Sequence, residues 1–364
     1  MSELESVIAD ELAKRHTPGV AVSAVEDGAV SWTLCVGTRG SGLPVEDRTI
    51  FEAASMSKPV TACVALHLAD DGLLDLDKPL ASYTSRWWID DPRIDAITAR
   101  HALTHQTGLW QDSNETAPYF ERDPVIDFKY SNTGIEYLQF VCEEIAGESL
   151  EALASRIVFE PLGMADTSFV WRESYETTAA TAHGDSGEPL EKWKPTVPDA
   201  SSSLHTTAPD YGRFVAAVPS LNDEWLTPQI DVHEAWGAGP PLPGSTWGLG
   251  WGLQADGCYW HWGWNIGFLS FAVAWPAQRR GIAVFTNGQD GLWICKAVVR
   301  WSRGRITPRS IGSSISLRSW GGGQSGSSRT SSMRRATHRT SGRGGRSCAR
   351  GCTATWSRSA SDPA

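Results

Sequence analysis

The sequence predicts an α/β protein of the α+β type, with one antiparallel sheet built from both chain ends and flanked by helices. Near the start, two apolar β-branched runs flank the turn residues Asp27 and Gly28, which is a strong hairpin signal. Toward the end, short apolar runs recur at intervals of roughly ten residues, as in an antiparallel sheet. The middle of the chain, about 75–245, carries helical patterns instead. The order strands, helical insertion, strands therefore predicts a single sheet plus a helical region.

The helices follow from apolar residues spaced three to four apart. Residues 2–15 form the first, because Leu4, Ile8 and Leu12 share one face. A second helix is predicted from Ser57 to about Asp70, and Gly72 is well placed to end it. Later helices are predicted at about 132–146, 149–158 and 208–218, with a closing helix at 289–301.

The predicted organisation has two parts. Residues 1–303 form one catalytic domain, with a sheet region at about 1–60 and 246–303 and a helical region at about 75–245. Residues 304–364 form a tail dominated by Ser, Gly, Arg and Thr, without apolar periodicity. One interpretation is a disordered basic tail that binds nucleic acid or membrane. The favoured interpretation is a shifted reading frame in a GC-rich gene, because the change in composition is abrupt.

The charge distribution bears on partners. The formal net charge is −10, but residues 1–300 carry 41 acidic and 20 basic side chains, whereas residues 301–364 carry 12 Arg and one acid. Such an acidic body repels nucleic acid and anionic membranes, so neither is expected as a partner. It also suits a high-salt cytoplasm, since screening removes self-repulsion. A halophilic source is our hypothesis, and folding and activity that fade at high salt would contradict it.

The start of the chain and its cysteines indicate a compartment. Residues 1–16 do not show a basic segment followed by an apolar core, and no run of about 18 apolar residues occurs. The expected location is therefore the cytoplasm. The seven cysteines are scattered without framework spacing, which favours reduced thiols over disulfides. Cys348 and Cys352 have no second ligand pair nearby, so a zinc site is not expected there.

The segment Ser55-Met56-Ser57-Lys58 offers a candidate nucleophile. Residues three apart on a helix face the same way, so Lys58 would project beside Ser55. A serine hydroxyl needs a neighbouring base, and a lysine serves as one only when neutral. The Ser55 N–H at the helix start would stabilise an oxyanion. Alternatively, Ser55 only caps the helix and Lys58 is solvated, which is the expectation for this motif taken alone.

Two further segments add to this candidate site. Tyr130 and Asn132 precede a predicted helix, where a phenol of lowered pKa would pass a proton to a leaving group and the amide would orient substrate. The alternative is a helix-capping Asn132 beside a buried tyrosine. His261 and Gly263 lie on a predicted strand, and Gly263 would let substrate approach the backbone N–H of Trp264. Taken alone, His261 is more simply a structural histidine.

Together these segments resemble the serine β-lactamase-like family, which includes class C β-lactamases, D-alanyl-D-alanine carboxypeptidases, D-aminopeptidases and related esterases. The resemblance covers about residues 5–300. It extends to LTHQTGL (103–109), PLGMADTSF (161–169), SSSLHTTAPDYGRF (201–214) and WGLGWGL (247–253). It implies the β-lactamase/transpeptidase-like fold and a serine hydrolase acting on a small-molecule ester or amide, without a metal or organic cofactor.

The resemblance also implies roles for the candidate residues. Ser55 would be the acylated nucleophile, with Lys58 and Tyr130 as acid/base partners. Asn132, His261, Gly263 and Trp264 would bind substrate. The Trp264 amide would also form the oxyanion hole together with the Ser55 amide. The pair His101 and His105 has helical spacing but lacks a zincin glutamate, and the resemblance places His105 in a structural loop.

The chain departs from the family at the segment His261-Trp262-Gly263, where classical β-lactamases and peptidases carry Lys-Thr-Gly. His261 is mostly neutral at pH 7 unless a neighbour raises its pKa, so carboxylate recognition should be weaker. Trp262 and Trp264 would favour apolar or aromatic acyl groups. These departures favour ester hydrolysis over β-lactam hydrolysis. The alternatives are a catalytically silent penicillin-binding-like protein and a protein that binds nucleic acid through its basic tail.

Overall fold

The structure, a computed structural model, describes residues 2–40, 42–84, 89–111, 117–222, 224–232 and 244–305. The predicted tail, 304–364, lies outside these residues except for the end of the last helix. The α-helices are α1 Ser2–Lys14, α2 Ser57–Asp70, α3 Ala99–Leu103, α4 Asn132–Ala146, α5 Leu150–Ala154, α6 Tyr175–Thr178, α7 Ala208–Ala217 and α8 Gly291–Arg305. None of these helices combines the length and apolar composition needed to cross a bilayer.

The strands of the described residues form one large sheet and one small one. In chain order they are β1 Gly19–Glu26, β2 Ala29–Gly40, β3 Leu43–Pro44, β4 Phe51–Glu52, β5 His205–Thr206, β6 Ile230–Asp231, β7 Thr246–Trp247, β8 Gly252–Leu253, β9 Tyr259–Asn265, β10 Phe268–Trp275 and β11 Arg280–Thr286. The large sheet has the order β3-β2-β1-β11-β10-β9-β8-β7-β6, and β4 pairs with β5 separately.

The large sheet joins the two ends of the chain, as predicted. Strand β1 pairs antiparallel with β11, with Val20 opposite Thr286. The turn between β1 and β2 places Asp27 at φ 53° and Gly28 at φ 80°. Two successive left-handed residues match the twist of a tight hairpin, which confirms the Asp-Gly signal. Strand β6 lies within the stretch expected to be helical, so the sheet extends further along the chain than the periodicity indicated.

Both faces of the large sheet are covered. On one face α1 and α8 pack together, and their buried residues Leu4, Ile8, Ile294 and Val298 join one apolar cluster. On the other face α7 packs against β1 and β11 through the second cluster. Apolar side chains on alternate strand positions therefore meet a helix on either side, which is the layered arrangement expected for this fold class.

Helix α2 lies in the middle of the helical region. Most of its residues are buried all round, and it packs against α4 and α5. A helix without a polar face has to be enclosed by other elements. After its last turn, Gly72 adopts φ 72° and its N–H donates to the Ala69 carbonyl, so the predicted stop at this glycine is confirmed. The turn that leads into α2 lies beside β9, and this junction holds the candidate site.

Candidate active site

Ser55 lies in a tight turn just before α2. The turn is a 3₁₀ segment, Ala54–Met56, and α2 itself begins at Ser57. Ala54 has φ 52°, a left-handed conformation that costs energy for a residue with a side chain. Ser57 Oγ donates to the Ala54 carbonyl at 2.6 Å and fixes this shape. Ser55 therefore lies in the first turn of a continuous helical segment. The first backbone N–H groups of such a segment have no helical acceptors.

Lys58 is fully buried beside Ser55. Its Nζ donates to Ser55 Oγ at 2.9 Å and to the Ser201 carbonyl at 2.8 Å. The spacing of three residues places both side chains on the same side of the segment, and the Ser201 carbonyl holds the amine in place. The alternative in which Lys58 is solvated is wrong, because the side chain has no exposed surface.

Tyr130 completes a cluster with Ser55 and Lys58. Lys58 Nζ lies 4.9 Å from the centroid of the Tyr130 ring, and the ring is buried. Burial raises the pKa of Tyr130 far above its ordinary value, and a hydrogen bond with Ser55 opposes this shift only in part. The expected lowering of the Tyr130 pKa is therefore wrong, since desolvation of the phenolate outweighs its neighbours. At neutral pH this phenol keeps its proton.

Asn132 is the first residue of α4, and it does not cap the helix. Ser131 is the cap, since its Oγ accepts from the Gly134 N–H at 3.0 Å. The Asn132 N–H donates to the Gln111 carbonyl at 2.8 Å. Its side-chain Oδ1 is buried and has no hydrogen-bond partner among the described residues. A buried acceptor of this kind is available to a donor that arrives with a ligand.

Strand β9 passes directly against the turn that carries Ser55, at Gly263. A Cβ atom added there would lie 2.2 Å from the Ala53 carbonyl oxygen and 2.9 Å from Ser55 N. Only glycine allows this approach. Since side chains alternate along a strand, His261 and Gly263 face Ser55, whereas Trp262 and Trp264 point the other way. The Trp264 side chain is exposed, and its backbone directly follows the point of contact.

His261 is buried and uncharged. Burial, followed by the positive charge of Lys58, lowers its pKa from 6.5 to about 3. Its Nδ1 lies 2.8 Å from the Trp262 carbonyl. Because a carbonyl oxygen only accepts, Nδ1 carries the proton of the neutral ring. His261 therefore brings no positive charge to the position where classical family members carry lysine.

His105 is part of the wall behind Tyr130. Its ring centroid lies 4.3 Å from that of Tyr130, and its Nδ1 accepts from the Ser131 N–H at 3.2 Å. His101 instead accepts at Nδ1 from the Thr98 N–H at 3.2 Å. The two histidines thus have separate local partners. Within the described ranges, no group of three or more His, Cys, Asp or Glu side chains is arranged to hold a metal ion.

Sequence reasoning missed the Ser201 carbonyl that holds Lys58. A backbone acceptor gives no signal in side-chain patterns. Sequence reasoning also missed Glu52 and Asn265, whose side chains join the segment before Ser55 to β9 at 2.8 Å. These two residues are 213 positions apart, so only the folded chain shows that they meet.

Adding a side chain at Gly263 is expected to separate β9 from the turn that carries Ser55. Gly263→Ala should lower the rate of any reaction at Ser55 by about 100-fold, because misplacement by about 1 Å has that effect on reactions between positioned groups. Gly263→Val should lower it further. Steady-state kinetics and thermal unfolding of both variants test this. Full activity in folded Gly263→Val would contradict the close approach.

Buried histidines are expected to make the fold acid-sensitive. Burial lowers the pKa of His205 to about 4 and that of His261 to about 3, and it lowers that of His105 as well. The unfolded chain takes up these protons below about pH 6.5, whereas the folded chain does not. Each histidine should therefore remove about 1.4 kcal/mol of stability per pH unit as the pH falls from 6.5 toward its folded pKa.

Urea unfolding between pH 7.5 and 5 measures this slope. His205→Gln should reduce the slope by the contribution of one proton. An identical slope in His205→Gln and the unmodified protein would show that His205 does not contribute.

Comparisons with known proteins agree with this geometry. A family model described as beta-lactamase matches residues 4–293. Esterase EstB from Burkholderia gladioli is 24% identical over 309 residues, covering 68% of this chain and 78% of the esterase. Penicillin-binding protein 4 from Amycolatopsis lactamdurans is 24% identical over 320 residues, covering 76% and 82%. A beta-lactamase from Yersinia enterocolitica is 24% identical over 233 residues, covering 58% and 59%.

Solved structures share the fold. An octameric penicillin-binding protein homologue from Pyrococcus abyssi superposes with a TM-score of 0.70 at 22% identity, covering 83% of this chain and 76% of that one. D-alanine carboxypeptidase AmpC from Burkholderia cenocepacia gives 0.68 at 19% identity, covering 82% and 99%. The resemblance drawn from the motifs is thereby confirmed. The chain belongs to the beta-lactamase family.

Proposed function

We propose that this protein is a serine hydrolase that cleaves an ester or amide through an acyl intermediate on Ser55. The observation that carries the proposal is the 2.9 Å contact between Lys58 Nζ and Ser55 Oγ. The contact lies in a buried cluster, and the backbone of β9 packs against this cluster at Gly263. Acyl transfer needs a hydroxyl beside an amine, and it needs backbone N–H groups against which the substrate carbonyl group fits.

The proposed reaction has two stages. In the first, Lys58 releases a proton to solvent and then accepts the Ser55 proton while Oγ bonds to the substrate carbonyl carbon. The N–H groups of Ser55 and Trp264 stabilise the oxyanion. The Tyr130 phenol donates its proton to the leaving oxygen or nitrogen as that bond breaks, and Lys58 returns a proton to Tyr130. In the second, water bonds to the acyl carbon while Lys58, neutral again, accepts the water proton. The bond from that carbon to Ser55 Oγ then breaks, Lys58 passes the proton to Oγ, and the acid leaves.

The site favours substrates without a carboxylate near the reacting carbonyl. His261 is neutral and buried, so it offers no charge to pair with an anionic group. The unpartnered Oδ1 of Asn132 offers an acceptor instead. The absence of a positive charge at His261 supports esters with uncharged groups ahead of β-lactams, and one of the relatives is named an esterase. Trp262 and Trp264 point away from Ser55, and Trp262 packs against an apolar core cluster, so the expected aromatic contact with the acyl group is not part of the proposal.

Covalent labelling combined with a substrate panel tests this function. A fluorophosphonate should label the protein, and mass spectrometry should place the label on Ser55. Turnover of p-nitrophenyl esters should exceed that of nitrocefin and of D-amino-acid amides when each is assayed at several salt concentrations. Absence of labelling and of turnover across the panel would overturn the proposal. Acylation without turnover would instead indicate a penicillin-binding-like protein.

The cytoplasm is the proposed location. Cys35, Cys63, Cys142 and Cys295 are free thiols in the structure, three of them buried. Free thiols are typical of a reducing compartment. Localisation of a tagged full-length chain by fractionation tests this, and recovery outside the cytoplasmic fraction would contradict it.

A further inference from the structure

The segment that carries Ser55 is joined to the β9–β10 hairpin by two side-chain hydrogen bonds. Asn265 Nδ2 donates to Glu52 Oε2 at 2.8 Å. Ser270 Oγ donates to the Ala53 carbonyl at 2.7 Å. Glu52 and Ala53 precede Ser55 by three and two residues, so both bonds end close to the nucleophile.

These bonds matter because the nucleophile segment is outside the large sheet. Strand β4 pairs with β5 in a separate two-stranded sheet, with Glu52 opposite His205. The Ala53 N–H likewise donates to the Leu204 carbonyl, on the side of β5. The distance from this segment to β9 is therefore set by side chains that reach across from the hairpin.

The two bonds lie on either side of Trp264. Ser270 is directly opposite Gly263 in the β9–β10 pairing, and Asn265 directly follows Trp264. One bond thus holds β10 opposite the residue before Trp264, and the other holds β9 at the residue after Trp264. The Ser55 N–H lies on the same turn that both bonds hold.

Glu52 is an unusual choice for a purely structural contact. Its side chain is only 4% exposed. Burying a carboxylate is costly, and a well-packed apolar pair often serves stability at least as well. A charged acceptor does, however, give a short and directional hydrogen bond, which defines a distance more sharply than apolar packing.

We propose that Asn265 and Ser270, acting through Glu52 and Ala53, are positioning residues that set the spacing between the Ser55 and Trp264 amides. This inference rests on the proposed function, in which those two amides bind the oxyanion. Donors placed in advance for developing charge act on the transition state rather than on the bound substrate. Loosening either bond should therefore lower kcat and leave KM nearly unchanged.

The test uses the ester that the unmodified protein turns over best. Asn265→Ala and Ser270→Ala should each lower kcat by about 10- to 100-fold, with KM changed less than about threefold. Asn265→Asp should be worse than Asn265→Ala, because it places a second carboxylate against Glu52. The double variant Glu52→Gln/Asn265→Asp restores a hydrogen bond with the donor and acceptor exchanged, and it should recover most of the kcat lost in Asn265→Asp.

Thr33→Val is the matched control, since it removes a 2.7 Å hydrogen bond to the Asp47 carboxylate elsewhere in the same sheet. It should leave kcat unchanged. Folding of every variant is checked by thermal unfolding. Unchanged kcat in Asn265→Ala and Ser270→Ala would overturn the inference. A double variant that regains its melting temperature without regaining its kcat would also overturn it. Either result would leave the proposed hydrolase function unaffected. An unmodified protein inactive on all substrates would overturn the proposed function and this inference with it.

Discussion

Replacing Ser55 with alanine is expected to abolish covalent labelling and to lower ester hydrolysis by about 10⁴-fold or more, because no other group takes the place of a lost nucleophile. The fold should survive. Ser55 is partly buried and its side chain accepts a hydrogen bond from Lys58, so the alanine removes one contact without opening a large cavity. Fluorophosphonate labelling, steady-state kinetics and a thermal unfolding curve on the same preparation measure all three effects.

The matched control for this change is Ser220→Ala. Ser220 lies in another 3₁₀ segment, is exposed, and its Oγ donates only to the nearby Ala217 carbonyl at 2.8 Å in the structure. This variant should label and turn over like the unmodified protein. A folded Ser55→Ala protein that labels as strongly as Ser220→Ala would rule out Ser55 as the nucleophile.

Replacing Lys58 is expected to have the second largest effect. Lys58→Met removes the amine beside Ser55 Oγ and should lower turnover by about 10³-fold or more, the range of a general base that also places the nucleophile. Stability should change by less than about 2 kcal/mol, because the gain from removing a buried amine offsets the hydrogen bond lost at the Ser201 carbonyl. Kinetics and urea unfolding measure the two effects separately.

Lys58→Arg separates the two roles of the lysine. A guanidinium keeps the positive charge but does not release its proton at accessible pH, so it does not act as a base. A folded Lys58→Arg protein should therefore be as inactive as Lys58→Met. Recovery of activity in Lys58→Arg would show that charge alone is needed and would contradict the proton transfer proposed for Lys58.

Much of the fold was predictable because its signals are local. The turn at Asp27 and Gly28 depends on left-handed backbone conformations that these residue types adopt readily, and the hairpin forms there. Helix α4 begins and ends where its apolar spacing predicts, at Asn132 and Ala146. The short strand β6 gave no such signal, since two residues are too few to show a period.

The candidate site was predictable only in part. The three-residue spacing indicated that Lys58 would lie beside Ser55, and the resemblance to a family implied the roles of Tyr130, Asn132 and His261. The direction of the Tyr130 pKa shift was predicted wrongly, because the sequence shows nearby charges but not how deeply a phenol is buried. The alternative in which Asn132 caps α4 was also wrong, because Ser131 and Asn132 are both good capping residues and only the backbone geometry chooses Ser131.

The sequence by itself determined the family, the order of the elements and the chemical types gathered at the site, since these depend on local propensity and on short motifs. The tertiary structure decided how those groups behave. Burial keeps His261 neutral and the Tyr130 phenol protonated, and a contact between Glu52 and Asn265, 213 positions apart, joins the segment before Ser55 to β9. Desolvation and long-range distances arise only when distant segments pack together, and the properties that depend on them were therefore settled by the fold.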